Sequence, residues 1–137
     1  IRIGELAALK LPDIRKEGLH IAAMEKHAER VVPLNKRAHE ALNNYLKIRP
    51  KAESDHLFIT RSGKQFLIRN IRTAVERYFR LAEIKNAKVN DLRHTFVAHH
   101  IKHGVSLVLI SKVLGHKRIS TTERYFYLRV SEVCLEN

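Results

Sequence analysis

Apolar residues recur at the spacing of an α-helix through most of this chain, and one region near its start departs from that spacing. The spacing and the capping residues around it predict α-helices over 3–9, 36–48, 68–83, 90–103, 106–114 and 119–127. Residues 13–34 instead combine short apolar stretches with turn residues, which is typical of three antiparallel strands. We therefore predict a mainly α-helical fold with one small three-stranded antiparallel β-sheet.

The same spacing predicts which side chains face the core. In the segment DLRHTF, Leu92 and Phe96 lie four residues apart, so we expect a helix to bury both of them. Arg93 and His94 lie between them in the sequence. The inner face of the helix over 68–83 is predicted to consist of Ile68, Ile71, Val75, Tyr78 and Phe79.

The charge of the chain indicates the kind of partner it binds. Its length of 137 residues fits a single domain, and 45% of the residues are hydrophobic, which excludes a disordered basic tail. The 26 Lys and Arg outnumber the 14 Asp and Glu, so the net charge is +12 with neutral histidines. This surplus predicts a polyanionic partner, with nucleic acid first, because each neutralised phosphate releases condensed counterions. Charge alone does not separate a DNA enzyme from an architectural protein.

Several other protein classes lack support in the sequence. A single cysteine excludes a disulfide framework and a cysteine-based zinc cluster. No apolar run approaches the roughly 20 residues of a membrane span, and no signal peptide is visible, so we expect a cytoplasmic protein. His99 and His103 are spaced i, i+4, but no third ligand or HExxH context accompanies them, so we expect neither a metal nor a cofactor. The chain opens in mid-pattern at Ile1, and we expect it to be part of a longer protein.

Two segments near the end of the chain carry side chains that suit phosphate chemistry. Asn90 and Arg93 share a helix face, and an arginine can hold two phosphate oxygens at once. Taken alone, this segment is better explained by a capping asparagine and a solvated arginine. In LGHKRISTTERYFYL, His116 lies in a turn, Ser120 to Thr122 can cap the next helix, and Tyr125 follows.

A tyrosine hydroxyl attacks phosphorus only with help, because its ordinary pKa is about 10. Cations must stabilise the developing charge, and another group must accept the proton. In isolation, Tyr125 is better explained as a half-buried helix aromatic, and Arg2 with Glu5 as an exposed ion pair of little value.

Taken together and in order, the segments resemble the catalytic domain of tyrosine recombinases, the phage-integrase and Xer family. The resemblance covers nearly the whole chain and rests on five stretches: IRIGELAALKLPDI, ERVVPL, LFITRSGKQF, NDLRHTFVAHHIKHG and ISKVLGHKRISTTERYFYL. Each stretch alone is a weak signal, whereas five of them in this order are strongly specific.

The resemblance implies a role for each matching residue. Arg2 and Arg93 match the two arginines that clamp the scissile phosphate, and His116 matches a histidine that donates a hydrogen bond to it. Tyr125 matches the nucleophile, which forms a 3′-phosphotyrosyl link and releases a 5′-hydroxyl. Glu5 matches an acidic residue that supports the first arginine.

Two positions depart from the family pattern. Asn90 stands where the family commonly has a histidine, and an asparagine cannot act as an acid or base near pH 7. The family also has a lysine in the β-hairpin turn that protonates the leaving oxygen. Lys26 is the only lysine in the turn EKHA, one residue away from the commonest register, and we assign that role to it.

The implied function is metal- and ATP-independent cleavage and rejoining of double-stranded DNA by a site-specific recombinase, at the nucleoid. The resemblance implies that residues 1–137 are a C-terminal catalytic domain without its core-binding domain, and that the protein works as a homotetramer. The apolar tail residues Val130, Val133 and Leu135 could dock on a neighbouring subunit or fold back onto their own core. Alternatives are a type IB topoisomerase, a catalytically impaired DNA-binding module, and Tyr127 as the nucleophile.

Overall fold

A computed structural model describes residues 1–25 and 27–125 of the chain. The helices are α1 (Ile3–Ala8), α2 (Lys36–Ile48), α3 (Ile68–Leu81), α4 (Val89–Lys102) and α5 (Leu107–Leu114). The strands are β1 (Ile14–Arg15), β2 (Gly18–Ile21) and β3 (Arg30–Val32), which form one sheet in the order β1-β2-β3. The predicted fold class is therefore confirmed. None of the helices that the structure describes is long and apolar enough to cross a membrane.

The chain divides into two compact units, which we describe separately. The first unit combines residues 1–21 with 31–87. The second combines residues 22–30 with the stretch that begins at 88, as far as the structure describes them.

The core of the first unit lies against the β-sheet. Leu19 and Ile21 of β2 are two residues apart, so their side chains leave the strand on the same face and are both buried. Leu9 and Leu57 complete the buried cluster. β1 pairs with β2 in antiparallel register. A Cβ at Gly18 of β2 would overlap the carbonyl oxygen of Val32 in β3, so only glycine fits where these two strands approach.

A local signal fixes the start of α2, and contacts with a more distant segment hold its other end. The side chain of Asn35 accepts a hydrogen bond from the backbone nitrogen of Ala38 at 2.9 Å, as expected of an N-cap. At the other end of the helix, the Tyr45 hydroxyl donates to the carbonyl oxygen of Leu57 at 3.0 Å. Arg49 donates to the same oxygen at 3.1 Å, so two side chains attach the helix to the buried segment around Leu57.

The second unit is built on α4 and α5. Its buried cluster contains Val97, Ile101, Ile110 and Leu114. α5 begins after Ser106, whose hydroxyl accepts a hydrogen bond from the backbone of Leu109 at 3.3 Å. Each helix is followed closely by a glycine with positive φ, Gly104 at 76° and Gly115 at 72°. Glycine adopts the left-handed conformation at little cost, and both of these ends were predicted from the sequence.

The predicted buried face of α4 is wrong. Leu92 and Phe96 are 53% and 40% exposed, whereas Arg93, Val97 and Ile101 face the interior. Apolar residues lie on two adjacent faces of this helix, so the spacing fits either face, and the packing of α5 decides which one is covered.

The predicted inner face of α3 is only partly correct. Ile71 is buried, but Ile68 and Tyr78 are 42% and 67% exposed. The helical period correctly predicts that α3 exists, and it overestimates how much of the helix is covered.

Candidate active site

Helix α4 carries an arginine into the interior of the second unit. Arg93 is only 9% exposed, and its Nη2 donates a hydrogen bond to the carbonyl oxygen of Leu114 at 2.9 Å. Leu114 is the last residue of α5, and a cation is stabilised beside the carbonyl end of a helix. The same Nη2 lies 3.4 Å from Nε2 of His116. Two side chains that are 23 residues apart in the sequence thus share one location.

The imidazole of His116 is held on its other side as well. Its Nδ1 lies 2.8 Å from the hydroxyl oxygen of Thr122, which is fully buried. Its backbone nitrogen donates to the carbonyl oxygen of Ser111 at 3.1 Å, across the turn that Gly115 makes in the left-handed conformation. Both the backbone and the ring of His116 are therefore fixed by partners in other positions of the chain.

Residues 27 and 28 pair with the turn that carries His116. His27 and His116 form an isolated antiparallel bridge. The backbone nitrogen of Ala28 donates to the carbonyl oxygen of Gly115 at 3.3 Å. These contacts place residues 27 and 28 of the predicted hairpin turn beside the predicted phosphate-binding histidine.

Arg30 strengthens this attachment. Its Nε donates to the carbonyl oxygen of Val113 at 2.7 Å, in the last turn of α5. Its guanidinium passes so close to Gly115 that a Cβ there would lie 2.5 Å from Nη1. Lys117 donates to the carbonyl oxygen of Glu25 at 2.8 Å.

Tyr125 lies against the core of the second unit, as a half-buried aromatic residue at the end of the helical residues 120–125. Its ring packs on the buried cluster of Val97, Ile101, Ile110 and Leu114. The ring also meets the imidazole of His94 edge-on, with a centroid separation of 5.5 Å. His94 follows Arg93 in α4, so the predicted nucleophile and the second predicted arginine pack in the same region of the unit.

Asn90 lies in the first turn of α4 and is exposed. It precedes Arg93 by three residues, but Arg93 is buried. Asn90 therefore lies at the surface, and Arg93 lies in the interior.

Arg2 belongs to the first unit, where it caps the N-terminus of α1. Its backbone nitrogen donates to Glu5 Oε2 at 2.7 Å, and Glu5 is 4% exposed. The side-chain Nε of Arg2 is buried and has no hydrogen-bond partner within the described residues. A buried donor of this kind suits an anionic ligand, because an arginine can only donate and an unbonded buried donor is costly.

Some predicted residues lie outside the described part of the chain. These are Lys26, Tyr127, Val130, Val133 and Leu135. Within residues 1–25 and 27–125, no group of three or more histidine, cysteine, aspartate or glutamate side chains could hold a metal ion.

Sequence reasoning missed two residues of this region. Thr122 was predicted only as a helix-capping residue, and Arg30 was not singled out. Both act on residues more than five positions away, Thr122 on His116 and Arg30 on Val113, so no local pattern identifies them.

The sequence profile of the phage integrase family matches residues 1–132. The chain belongs to this family. Among curated relatives, the tyrosine recombinase XerC of Thermodesulfovibrio yellowstonii is 35% identical over 138 residues, covering 93% of this chain and 46% of the relative. The XerC of Pelobacter propionicus is 32% identical over 136 residues, covering 97% of this chain and 45% of the relative. The chain thus spans a little under half the length of the relatives it matches.

Solved structures give the same fold. The crystal structure of XerA recombinase superimposes with a TM-score of 0.81 and 26% identity, covering 90% of this chain and 46% of that one. XerH recombinase, in a post-cleavage complex with palindromic difH substrate, superimposes with a TM-score of 0.79 and 23% identity. That match covers 97% of this chain and 41% of XerH, and the fold is that of a tyrosine recombinase catalytic domain.

Proposed function

We propose that this chain is the catalytic domain of a tyrosine site-specific recombinase that cleaves and rejoins DNA through a 3′-phosphotyrosine intermediate on Tyr125. The observation that carries the proposal is the joint location of Arg93 and His116, with Nη2 and Nε2 3.4 Å apart, in the unit that also holds Tyr125. Family membership and the recombinase names of the relatives support it.

The chemistry of the Arg93 and His116 pair fits phosphoryl transfer. Attack on phosphorus builds negative charge on the nonbridging oxygens, and preorganised donors lower the barrier by meeting that charge. A guanidinium binds oxygens through charge-assisted hydrogen bonds, and an imidazole adds a further donor. No metal is needed for this stabilisation, and storage of the broken bond as a phosphotyrosine ester conserves its energy for rejoining.

Arg2 is the proposed partner of Arg93 on the scissile phosphate. Its buried, unbonded Nε and the anchoring of its backbone by Glu5 support this role, because they leave the guanidinium with donors to spare. Asn90 is the proposed additional donor, in place of the histidine that is common in the family. Its amide can bind a phosphate oxygen but cannot transfer a proton near pH 7.

Lys26 is the proposed general acid that protonates the leaving 5′-oxygen. The support comes from its neighbours in the chain. His27 bridges to His116, and Ala28 donates to Gly115, so the described residues that follow Lys26 pair with the phosphate-binding turn.

The proposed partner is double-stranded DNA. A net charge of +12 favours a polyanion. The Tn1549 transposon integrase, which superimposes with a TM-score of 0.77 and 18% identity, was solved in complex with transposon right end DNA. We further propose that residues 1–137 form the C-terminal catalytic domain of a longer protein that works on the nucleoid as a homotetramer. In this arrangement the tail with Val130, Val133 and Leu135 docks on a neighbouring subunit.

A covalent-adduct assay tests the proposal. The full-length protein is incubated with nicked suicide duplexes tiled across the DNA that flanks its gene, and adducts are resolved on a denaturing gel. The proposal predicts an adduct that maps to Tyr125 and disappears in the Tyr125→Phe variant, because the nucleophilic oxygen is gone.

Two matched variants complete the assay. Tyr127→Phe is expected to keep the adduct, and Tyr78→Phe, at an exposed tyrosine of α3, controls for general effects of the substitution. An adduct on Tyr127 would show that the assigned nucleophile is wrong. If the protein forms salt-labile complexes and no covalent adduct, it is a DNA-binding module. Plasmid relaxation without strand exchange would identify a topoisomerase.

A further inference from the structure

Among the described residues, Arg93 and Thr122 lie beside the ring nitrogens of His116 and differ in hydrogen-bonding ability. An arginine N–H only donates, whereas a threonine hydroxyl can donate or accept. Arg93 Nη2 lies 3.4 Å from Nε2 of His116. In a neutral imidazole, a hydrogen on Nε2 would point at the N–H of Arg93, so the favoured tautomer has the lone pair on Nε2. The hydrogen is then on Nδ1 and is donated to the Thr122 hydroxyl at 2.8 Å.

A bound phosphate reverses these roles. A phosphate oxygen accepts hydrogen bonds, so Nε2 must carry the hydrogen in order to bind it. In a neutral imidazole, Nδ1 then holds the lone pair, and its partner must donate. A hydroxyl meets both requirements by rotation, whereas a backbone carbonyl or a carboxylate can only accept.

The surroundings of Thr122 make this hydroxyl a fixed partner. The residue is fully buried, so bulk water does not compete for its oxygen. Its backbone nitrogen donates to the carbonyl oxygen of Ile119 at 2.7 Å, which anchors it in the first turn of the helical residues 120–125. The distance from Nδ1 to Oγ1 is that of a strong hydrogen bond.

We infer that Thr122 is a positioning residue for His116: its buried hydroxyl stays bonded to Nδ1 while Nε2 changes from accepting a hydrogen bond of Arg93 to donating one to a phosphate oxygen. The inference rests on the function proposed above, since it concerns the same phosphate site. It assigns to Thr122 a role beyond the helix capping that its sequence position predicts.

Two substitutions at Thr122 separate positioning from stability. Thr122→Val keeps the shape and removes the hydroxyl, and it is expected to lower the single-turnover cleavage rate by about 10–100-fold, by analogy with the outer partners that orient metal-bound imidazoles. Thr122→Ser keeps the hydroxyl and removes a buried methyl group, so it is expected to melt at a lower temperature yet cleave within a few-fold of the parent. Thr121→Val changes the same residue type at the exposed neighbouring position and is expected to cleave like the parent.

A double-mutant cycle shows whether Thr122 acts through His116. In a His116→Ala background, Thr122→Val is expected to change the residual cleavage rate by less than about twofold, because its partner is already absent. The inference is overturned if Thr122→Val cleaves like the parent or if Thr122→Ser is as slow as Thr122→Val. It is also overturned if Thr122→Val slows cleavage by the same factor in the His116→Ala background as in the parent.

A spectroscopic measurement tests the hydrogen bond without cleavage. Nitrogen-15 shifts of the His116 ring at pH 8 are expected to report a hydrogen on Nδ1 in the parent and in Thr122→Ser, and a mixture of tautomers in Thr122→Val. Unchanged shifts in Thr122→Val would overturn the inference. Absence of any Tyr125 adduct in the parent would instead overturn the proposed function, while the ring shifts would still decide whether Thr122 holds His116.

Discussion

The two ends of α4 carry basic side chains that differ in burial: an arginine is buried near the start of the helix, and two histidines are exposed near its end. Near its start, Arg93 is buried and contacts Leu114 and His116, which come from a different part of the chain. Near its end, His99 and His103 are exposed, and their rings pack on each other with centroids 4.2 Å apart. The polar partners of Arg93 come from α5 and from the turn that follows it.

Two imidazoles near the second end bond to carbonyl oxygens of α4 itself. Nδ1 of His100 bonds to the carbonyl oxygen of Phe96 at 2.8 Å, and Nδ1 of His103 to that of His99 at 2.7 Å. Such bonds fix a ring relative to its own helix but bring no second chemical group to it. Cationic side chains and imidazoles form a candidate site where distant segments of the chain hold them together. The number of histidines in one segment is therefore a poor guide to function.

The largest expected difference between the two ends is in cleavage. Arg93→Ala removes a preorganised donor and is expected to raise the barrier by about 3–4 kcal/mol, which slows single-turnover cleavage about 100- to 1000-fold. His103→Ala, at an exposed position, is expected to change the rate by less than about twofold.

DNA affinity, measured together with the cleavage rate, shows why Arg93→Ala is slow. If Arg93→Ala lost affinity in the same proportion as rate, the arginine would be only a backbone anchor. Equal losses in Arg93→Ala and His103→Ala would contradict the distinction between the two ends of α4.

The glycines that follow α4 and α5 offer a second comparison. Gly104 and Gly115 both have positive φ, so the left-handed backbone by itself is expected to make alanine cost about 1–2 kcal/mol of folding stability at each position. A Cβ at Gly104 meets nothing within 4 Å, whereas one at Gly115 would displace Arg30 from its bond to Val113. We expect Gly115→Ala to cost about 1–3 kcal/mol more than Gly104→Ala in urea unfolding. Equal costs would mean that Arg30 moves aside freely.

The parts of the fold that were predictable are those set by local signals. Asn35 and Ser106 cap the helices that follow them, and Gly104 and Gly115 end the helices before them, so these boundaries could be predicted from neighbouring residues. The fold class followed from the same signals and from the resemblance to a known family.

The candidate site was predictable in identity but not in geometry. Arg93, His116 and Tyr125 were recognised because five motifs occur in family order, and no hydropathy rule predicts that an arginine is buried. The bond from Thr122 to His116 depends on how the intervening turn packs, and a short polar residue before a helix is equally consistent with a cap.

The orientation of α4 gives the smallest and most direct test, because the sequence predicted that an adjacent face of the helix is buried. Val97 is fully buried and Leu92 is 53% exposed, so Val97→Ala is expected to cost about 1–3 kcal/mol of unfolding free energy and Leu92→Ala less than about 1 kcal/mol. Leucine loses more carbon atoms than valine in these substitutions, so a ranking by size alone predicts the reverse order. Urea unfolding of both variants decides between the two faces, and a larger cost for Leu92→Ala would mean that the helix turns its apolar LxxxF face inward after all.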